Sequence, residues 1–179
     1  MEAEGKYAIA LGFFDGIHLG HQSLLRRTVE RAGEHGLRPA VFTFDRPPRE
    51  VVTGQPVALL TTPEQRCAII HQLFPIDTVI VAPFDREMMS MEWDAYLDLL
   101  VERFHAGWLV AGYDHRFGHK NRGTAQLLQS YCQAHGLGCD IMPPVELDGV
   151  TVSSTYIRSL LDRGDRENAR RFLGHSLLV

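Results

Sequence analysis

Apolar residues in this chain alternate between short continuous runs and runs spaced by three and four. Residues 9–11 (I-A-L) form a continuous run that suits a buried parallel strand, and Leu24, Leu25, Thr28, Val29 and Ala32 then recur on one helical face. That helix should end near His35-Gly36, with the glycine as its C-cap. Residues 40–44 (A-V-F-T-F) read as a second strand, and Asp45-Arg46-Pro47-Pro48-Arg49 after it as a rigid polar loop. Thr61-Thr62-Pro63-Glu64 carries helix start signals, and Cys67, Ile69, Ile70, Leu73 and Phe74 follow at helical spacing. Residues 77–82 (D-T-V-I-V-A) predict a third, buried strand.

A helix is expected over about residues 91–104, capped by Ser90, with Trp93, Tyr96, Leu97, Leu100, Val101 and Phe104 on its apolar face. Met88, Met89 and Met91 read as packing. Residues 108–111 make a fourth strand, residues 124–134 a helix and residues 139–142 a fifth strand. Hydroxyl residues at 153–155, with Ser154 or Thr155 as the N-cap, open a helix carrying Ile157, Leu160 and Leu161. Gly164-Asp165 breaks it before a last helix with Ala169, Phe172 and Leu173. This alternation predicts an α/β fold: a Rossmann-like, doubly wound parallel sheet of five strands with helices on both faces, forming one domain over residues 1–179. In such a sheet the loops after strands one and four and the mouth of the helix at 153–158 converge at the topological switch point.

Composition narrows the class. With 45% hydrophobic and 22% charged residues, the 179-residue chain has the make-up of an ordinary globular domain. A net charge of −4 argues against a surface that coats nucleic acid. No apolar run is long enough for a membrane span, and the start M-E-A-E-G-K-Y lacks the features of a signal peptide. Three scattered cysteines point to free thiols and a cytoplasmic location.

The chemistry concentrates at residues 12–21, G-F-F-D-G-I-H-L-G-H, a glycine-rich turn between the first strand and helix. Its glycines let backbone approach a ligand, and His18 and His21 stand one helical turn apart at a helix mouth that favours anions. Zinc is a poorer use of the pair, since no C-x-x-C or acidic partner lies at a ligand interval; a core hydrogen bond is the plainer alternative. Neither the G-x-G-x-x-G nor the Walker pattern is present. Residues 112–123, G-Y-D-H-R-F-G-H-K-N-R-G, form the most positive stretch and read as a phosphate-facing loop. Ser153, Ser154, Thr155 and Arg158 make a second helix mouth suited to phosphate.

The stretch at 12–21 resembles the signature of the H-x-G-H nucleotidylyltransferases. In its longer form it is similar to the FMN adenylyltransferase module of prokaryotic FAD synthetases. Likeness extends to residues 42–51 (F-T-F-D-R-P-P-R-E-V), 60–62 (L-T-T), 112–118 (G-Y-D-H-R-F-G), 152–158 (V-S-S-T-Y-I-R) and the cadence of 162–174. The resemblance implies transfer of AMP from ATP to FMN with Mg²⁺, small-molecule partners, and no nucleic acid or membrane. It implies ATP contacts from Gly12, Phe13, Phe14, Asp15, Gly16, His18, Gly20 and His21, and from Ser153, Ser154, Thr155 and Arg158. His18, His21 and Arg158 are the expected catalytic groups. FMN contacts are implied for Pro48, Asp114, Arg116 and Phe117, and no residue is assigned to the metal. Two positions depart on the acceptor side: Pro47 stands where the family has histidine, and His115 where it has phenylalanine. These leave open another phosphorylated acceptor, CTP in place of ATP, or a binding module without turnover. The chain stops before the riboflavin kinase barrel usual in the family, so no kinase activity is expected of it.

Overall fold

A computed structural model describes residues 6–176. Met1 to Gly5 and Leu177 to Val179, which enter the readings of the amino-terminal start and of the chain's end, lie outside the described residues. The strands are β1 (Tyr7–Leu11), β2 (Arg38–Phe44), β3 (Thr78–Ala82), β4 (Ala106–Gly112), β5 (Gly138–Met142), β6 (Glu146–Leu147) and β7 (Val150–Thr151). The α-helices are α1 (Leu19–His35), α2 (Pro48–Thr53), α3 (Pro63–Leu73), α4 (Arg86–Ser90), α5 (Trp93–Glu102), α6 (Ala125–Ala134), α7 (Ser154–Asp162) and α8 (Arg166–Leu173).

The first five strands form one parallel sheet in the order β3-β2-β1-β4-β5. The expected doubly wound fold is therefore present, and its switch point lies between β1 and β4. Two clusters fill its faces. One packs Leu11, Phe42 and Leu109 against Tyr96, Leu97 and Leu100 of α5 and Leu128 of α6; the other packs Ala10, Val41 and Val110 against Leu24 and Leu25 of α1 and Ile69 and Ile70 of α3. A third cluster joins α7 and α8.

Several local expectations change. Residues 91–104 do not form one helix: Asp85 caps α4, whose last residue is Ser90, and α5 starts after Glu92. Pro48 does not bar a helix, because it opens α2 at N1, where no amide bond is lost. β3 is an edge strand, half-buried over most of its length. The cap of α7 is Ser153, whose Oγ accepts from the Tyr156 amide. An unanticipated hairpin, β6 and β7, turns at Asp148 and Gly149, both left-handed.

Candidate functional site

The chain leaves β1 through a turn that local preference alone would not hold. Phe14 (φ 60°), Gly16 (φ 87°) and Ile17 (φ 48°) are all left-handed, a conformation that costs a non-glycine residue about 1–3 kcal/mol. Burial of the Phe14 and Ile17 side chains opposes that cost. So does Asp15: its Oδ1 accepts from the Leu60 amide (3.0 Å), the Thr61 amide (2.9 Å) and Thr61 Oγ1 (2.9 Å), and its Oδ2 accepts from Arg158 Nη1 (3.1 Å). Thr61 Oγ1 also accepts from the Gly16 amide, and Ser154 Oγ donates to the Asp15 carbonyl. The L-T-T segment and α7 thereby lock the turn from two sides.

His18 is the N-cap of α1. Its Nδ1 accepts from the His21 amide at 3.2 Å, which leaves the ring proton on Nε2. The two imidazoles stack with centroids 3.5 Å apart, and the edge of His21 meets Phe14. Burial holds the His18 pKa down at about 4. His21 lies well below its ordinary value through burial, then through the nearby charges of His18 and Arg66. Both rings are therefore neutral near pH 7, and His18 offers a phosphate a single N–H rather than a cation.

These groups open on a cavity of about 360 Å³, within the usual range for a small-molecule site. Its walls are Gly12, Phe13, Phe14, His18, Gly20 and His21 from the first turn, Gly112 to Arg116 after β4, and Ser153 and Ser154 at the mouth of α7. The two helix mouths thus face one crevice at the switch point. Met142, Pro143, Pro144 and Val145 after β5, and Thr151 and Val152, complete it. Those residues were not anticipated, although consecutive prolines after a strand's carboxyl end were a visible sign.

Arg158 and Thr155 do not line this cavity. Arg158 binds Asp15 and Thr155 Oγ1, and lines a separate groove with Arg49, Thr53 and Gln55. Ser154 spends its hydroxyl proton on the Asp15 carbonyl, whereas Ser153 accepts a cap bond and keeps its O–H to donate. The basic loop after β4 divides. Tyr113 to Arg116 face the cavity, but His119 (3.4 Å) and Arg122 (3.5 Å) point to Glu92 outside it. The phosphate-facing reading of that loop is corrected to its first half.

A second, narrow cleft of about 50 Å³ adjoins the first and shares His115 and Arg116 with it. Phe44, Pro48, Phe84, Met88, Tyr96 and Phe117 line it, so the structure brings Pro48, Arg116 and Phe117 together and leaves Asp114 in the larger cavity. His115 stacks on Phe117 at 5.5 Å, and burial keeps its pKa near 4. As a neutral ring it packs face to face on Phe117.

Among the described residues no group of three or more His, Cys, Asp or Glu side chains is arranged to hold a metal. Asp15 has both oxygens engaged by protein donors, and Asp114 is the carboxylate on the cavity wall.

Comparison with known proteins points to one family. A family model described as FAD synthetase matches residues 1–156. The bifunctional riboflavin kinase/FMN adenylyltransferase of Haemophilus influenzae is 35% identical over 172 residues, covering 93% of this chain and 54% of that protein. Its counterpart in Listeria monocytogenes is 32% identical over 169 residues, covering 93% and 53%. A relative from Geobacillus thermodenitrificans, named for the same two activities, is 32% identical and is covered over 90% of its length. The chain spans about half the length of the first two. A solved structure from Streptococcus pneumoniae, described as a macrolide-efflux protein, superposes with a TM-score of 0.85 at 28% identity, covering 96% of this chain and 57% of that one. No helix among the described residues is long and apolar enough to cross a membrane.

Proposed function

The chain belongs to the FAD synthetase family, and from that premise we propose that it transfers AMP from ATP to FMN, giving FAD and pyrophosphate. The observation that carries the proposal is the pairing of two joined cavities. One is walled by the neutral histidines and the α7 mouth, the other by aromatic rings, and His115 and Arg116 belong to both. A nucleotide fits the chemistry of the first and a flat aromatic acceptor that of the second, once the narrow cleft widens.

In the proposed step an oxygen of the FMN phosphate attacks the α-phosphorus of ATP in line. A new P–O bond forms, the bond to pyrophosphate breaks, and pyrophosphate departs with the electron pair. The acceptor is already an anion, so no protein nucleophile is required and catalysis rests on positioning and on stabilising charge. His18 Nε2–H and the Ser153 hydroxyl are donors at the two helix mouths, His21 packs the first of them in place, and Arg116 adds positive charge where the cavities meet. Arg158 acts through Asp15, holding the strained turn to α7. Asp114 is the wall carboxylate that would hold a triphosphate-bound Mg²⁺, and the ion would supply charge screening of the phosphates.

The purified chain, given FMN, ATP and Mg²⁺, should produce FAD and pyrophosphate in equal amounts, and chelation by EDTA should stop both. Pyrophosphate release with other phosphorylated acceptors but not with FMN would reassign the acceptor. Tight FMN binding without any release would mark a binding module and refute turnover.

A further inference from the structure

Arg66 is the largest fully buried side chain among the described residues, and the adenylyl-transfer scheme above gives it no work. It projects from the first turn of α3 beneath the motif turn. Nη1 donates to the Phe13 carbonyl (2.8 Å), Thr43 Oγ1 (2.8 Å) and the Phe44 carbonyl (3.1 Å). Nε and Nη2 are buried with no hydrogen-bond partner, and no carboxylate lies within ion-pair distance of the group among the described residues. Those two atoms carry the edge of a guanidinium that grips an oxyanion with two parallel N–H bonds. Anchoring Phe13 needs one nitrogen only. Keeping the other edge buried and unmade is a large penalty that a structural role does not explain.

Arg66 itself lines neither cavity, and its bonds run to residues that do. Phe13 belongs to the wall of the phosphate-binding cavity and Phe44 to the wall of the aromatic cleft, so the guanidinium bonds to the partition between them. With ATP in one and a flavin in the other, the acceptor's phosphate and the α-phosphorus meet between these walls, with Arg116 on the side where the cavities join and Arg66 beneath Phe13 and Phe44. The Phe13 ring lies over the guanidinium, 4.3 Å from its carbon, and is itself half-buried on the cavity wall.

We propose that the Nε/Nη2 edge of Arg66 receives the phosphate of the acceptor, and that Phe13 is the lid that uncovers it. This rests on the adenylyl-transfer reading above. Arg66 also helps hold His21 neutral, which places the two groups within electrostatic reach of each other beside the reacting phosphates.

The test compares FMN with riboflavin, which lacks the phosphate. In the wild-type chain, saturating FMN should shift the ¹⁵N–¹H resonance of Arg66 Nε, and riboflavin should leave it in place. Arg66→Lys keeps the charge and loses the fork; it should weaken FMN binding, read by flavin fluorescence, about tenfold to hundredfold while riboflavin binding and the KM for ATP stay within about twofold. Arg66→Gln should do the same where it folds, and the wild-type resonance decides where it does not. An unmoved Nε signal with FMN bound, or equal losses for FMN and riboflavin, overturns the assignment. A wild-type chain that makes no FAD defeats the underlying reading instead, whereas FAD production with unchanged FMN affinity in Arg66→Lys defeats only the role of Arg66.

Discussion

Acidifying the protein from pH 7.5 to pH 5 should destabilise it steeply, and the cause lies in the site. His18 and His115 are held near pKa 4 and His21 well below its ordinary value, in each case chiefly by burial. In the unfolded chain all three regain a pKa near 6.5. Between pH 6.5 and 4 the unfolded state therefore binds protons that the native state refuses, and stability falls as pH falls. The shift to about 4 makes this about 2 kcal/mol each for His18 and His115 at pH 5, about 4 kcal/mol together, and His21 adds to it in the same direction. His115 keeps part of its ring on the cavity wall, so water reduces that sum to about 2–4 kcal/mol, still a large share of a domain's 5–15 kcal/mol. Asp140 and Asp165 have lowered pKa values, and their contribution is lost only below about pH 4, outside this window. Urea midpoints at pH 7.5, 6 and 5 measure the effect, and His115→Phe should make the slope clearly shallower. A midpoint flat over that range would mean that the rings are hydrated and chargeable, and the single-donor picture of His18 would fall with it.

Further expectations follow from single contacts. His18→Ala or His21→Ala should slow FAD formation about 10²–10³-fold, roughly 3–4 kcal/mol, with the fold retained by circular dichroism; unchanged turnover in both would remove the histidines from the mechanism. Asp15→Asn leaves Arg158 without its carboxylate and weakens the tie to Leu60 and Thr61, and should cost about 3 kcal/mol in urea unfolding, the low end for a broken buried pair because Arg158 is partly exposed. Gly20→Ala should separate stability from activity. Alanine favours the helix by about 0.5–1 kcal/mol, yet its Cβ would stand 2.9 Å from His18 Cε1 and push that ring aside. The melting temperature should hold or rise while kcat drops, and an equal fall in both would show that the ring position is not what matters.

What could be read from the chain beforehand, and what could not, divides by sequence separation. The five strands, the switch-point crevice and the paired histidines were legible because each rests on periodicity or on a turn of a few residues. The hairpin at Asp148-Gly149 was missed: D-G is a turn signal, but two-residue strands are too brief to show alternation. Arg66 was hidden differently. It stands three and four residues before Ile69 and Ile70 on the buried face of α3, a charge within an apolar stripe, and the stripe alone reads as core. Its partners Phe13, Thr43 and Phe44 lie 53, 23 and 22 positions away. Asp15 reaches Thr61 across 46 positions and Ser154 donates to the Asp15 carbonyl across 139. No local pattern encodes such pairs. They matter because a turn with three left-handed residues cannot keep its shape from its own preferences. The segment that looks like a self-contained motif is therefore shaped by three distant parts of the chain: L-T-T, the α7 mouth and α3. Disrupting any one of them should loosen the histidines without touching them.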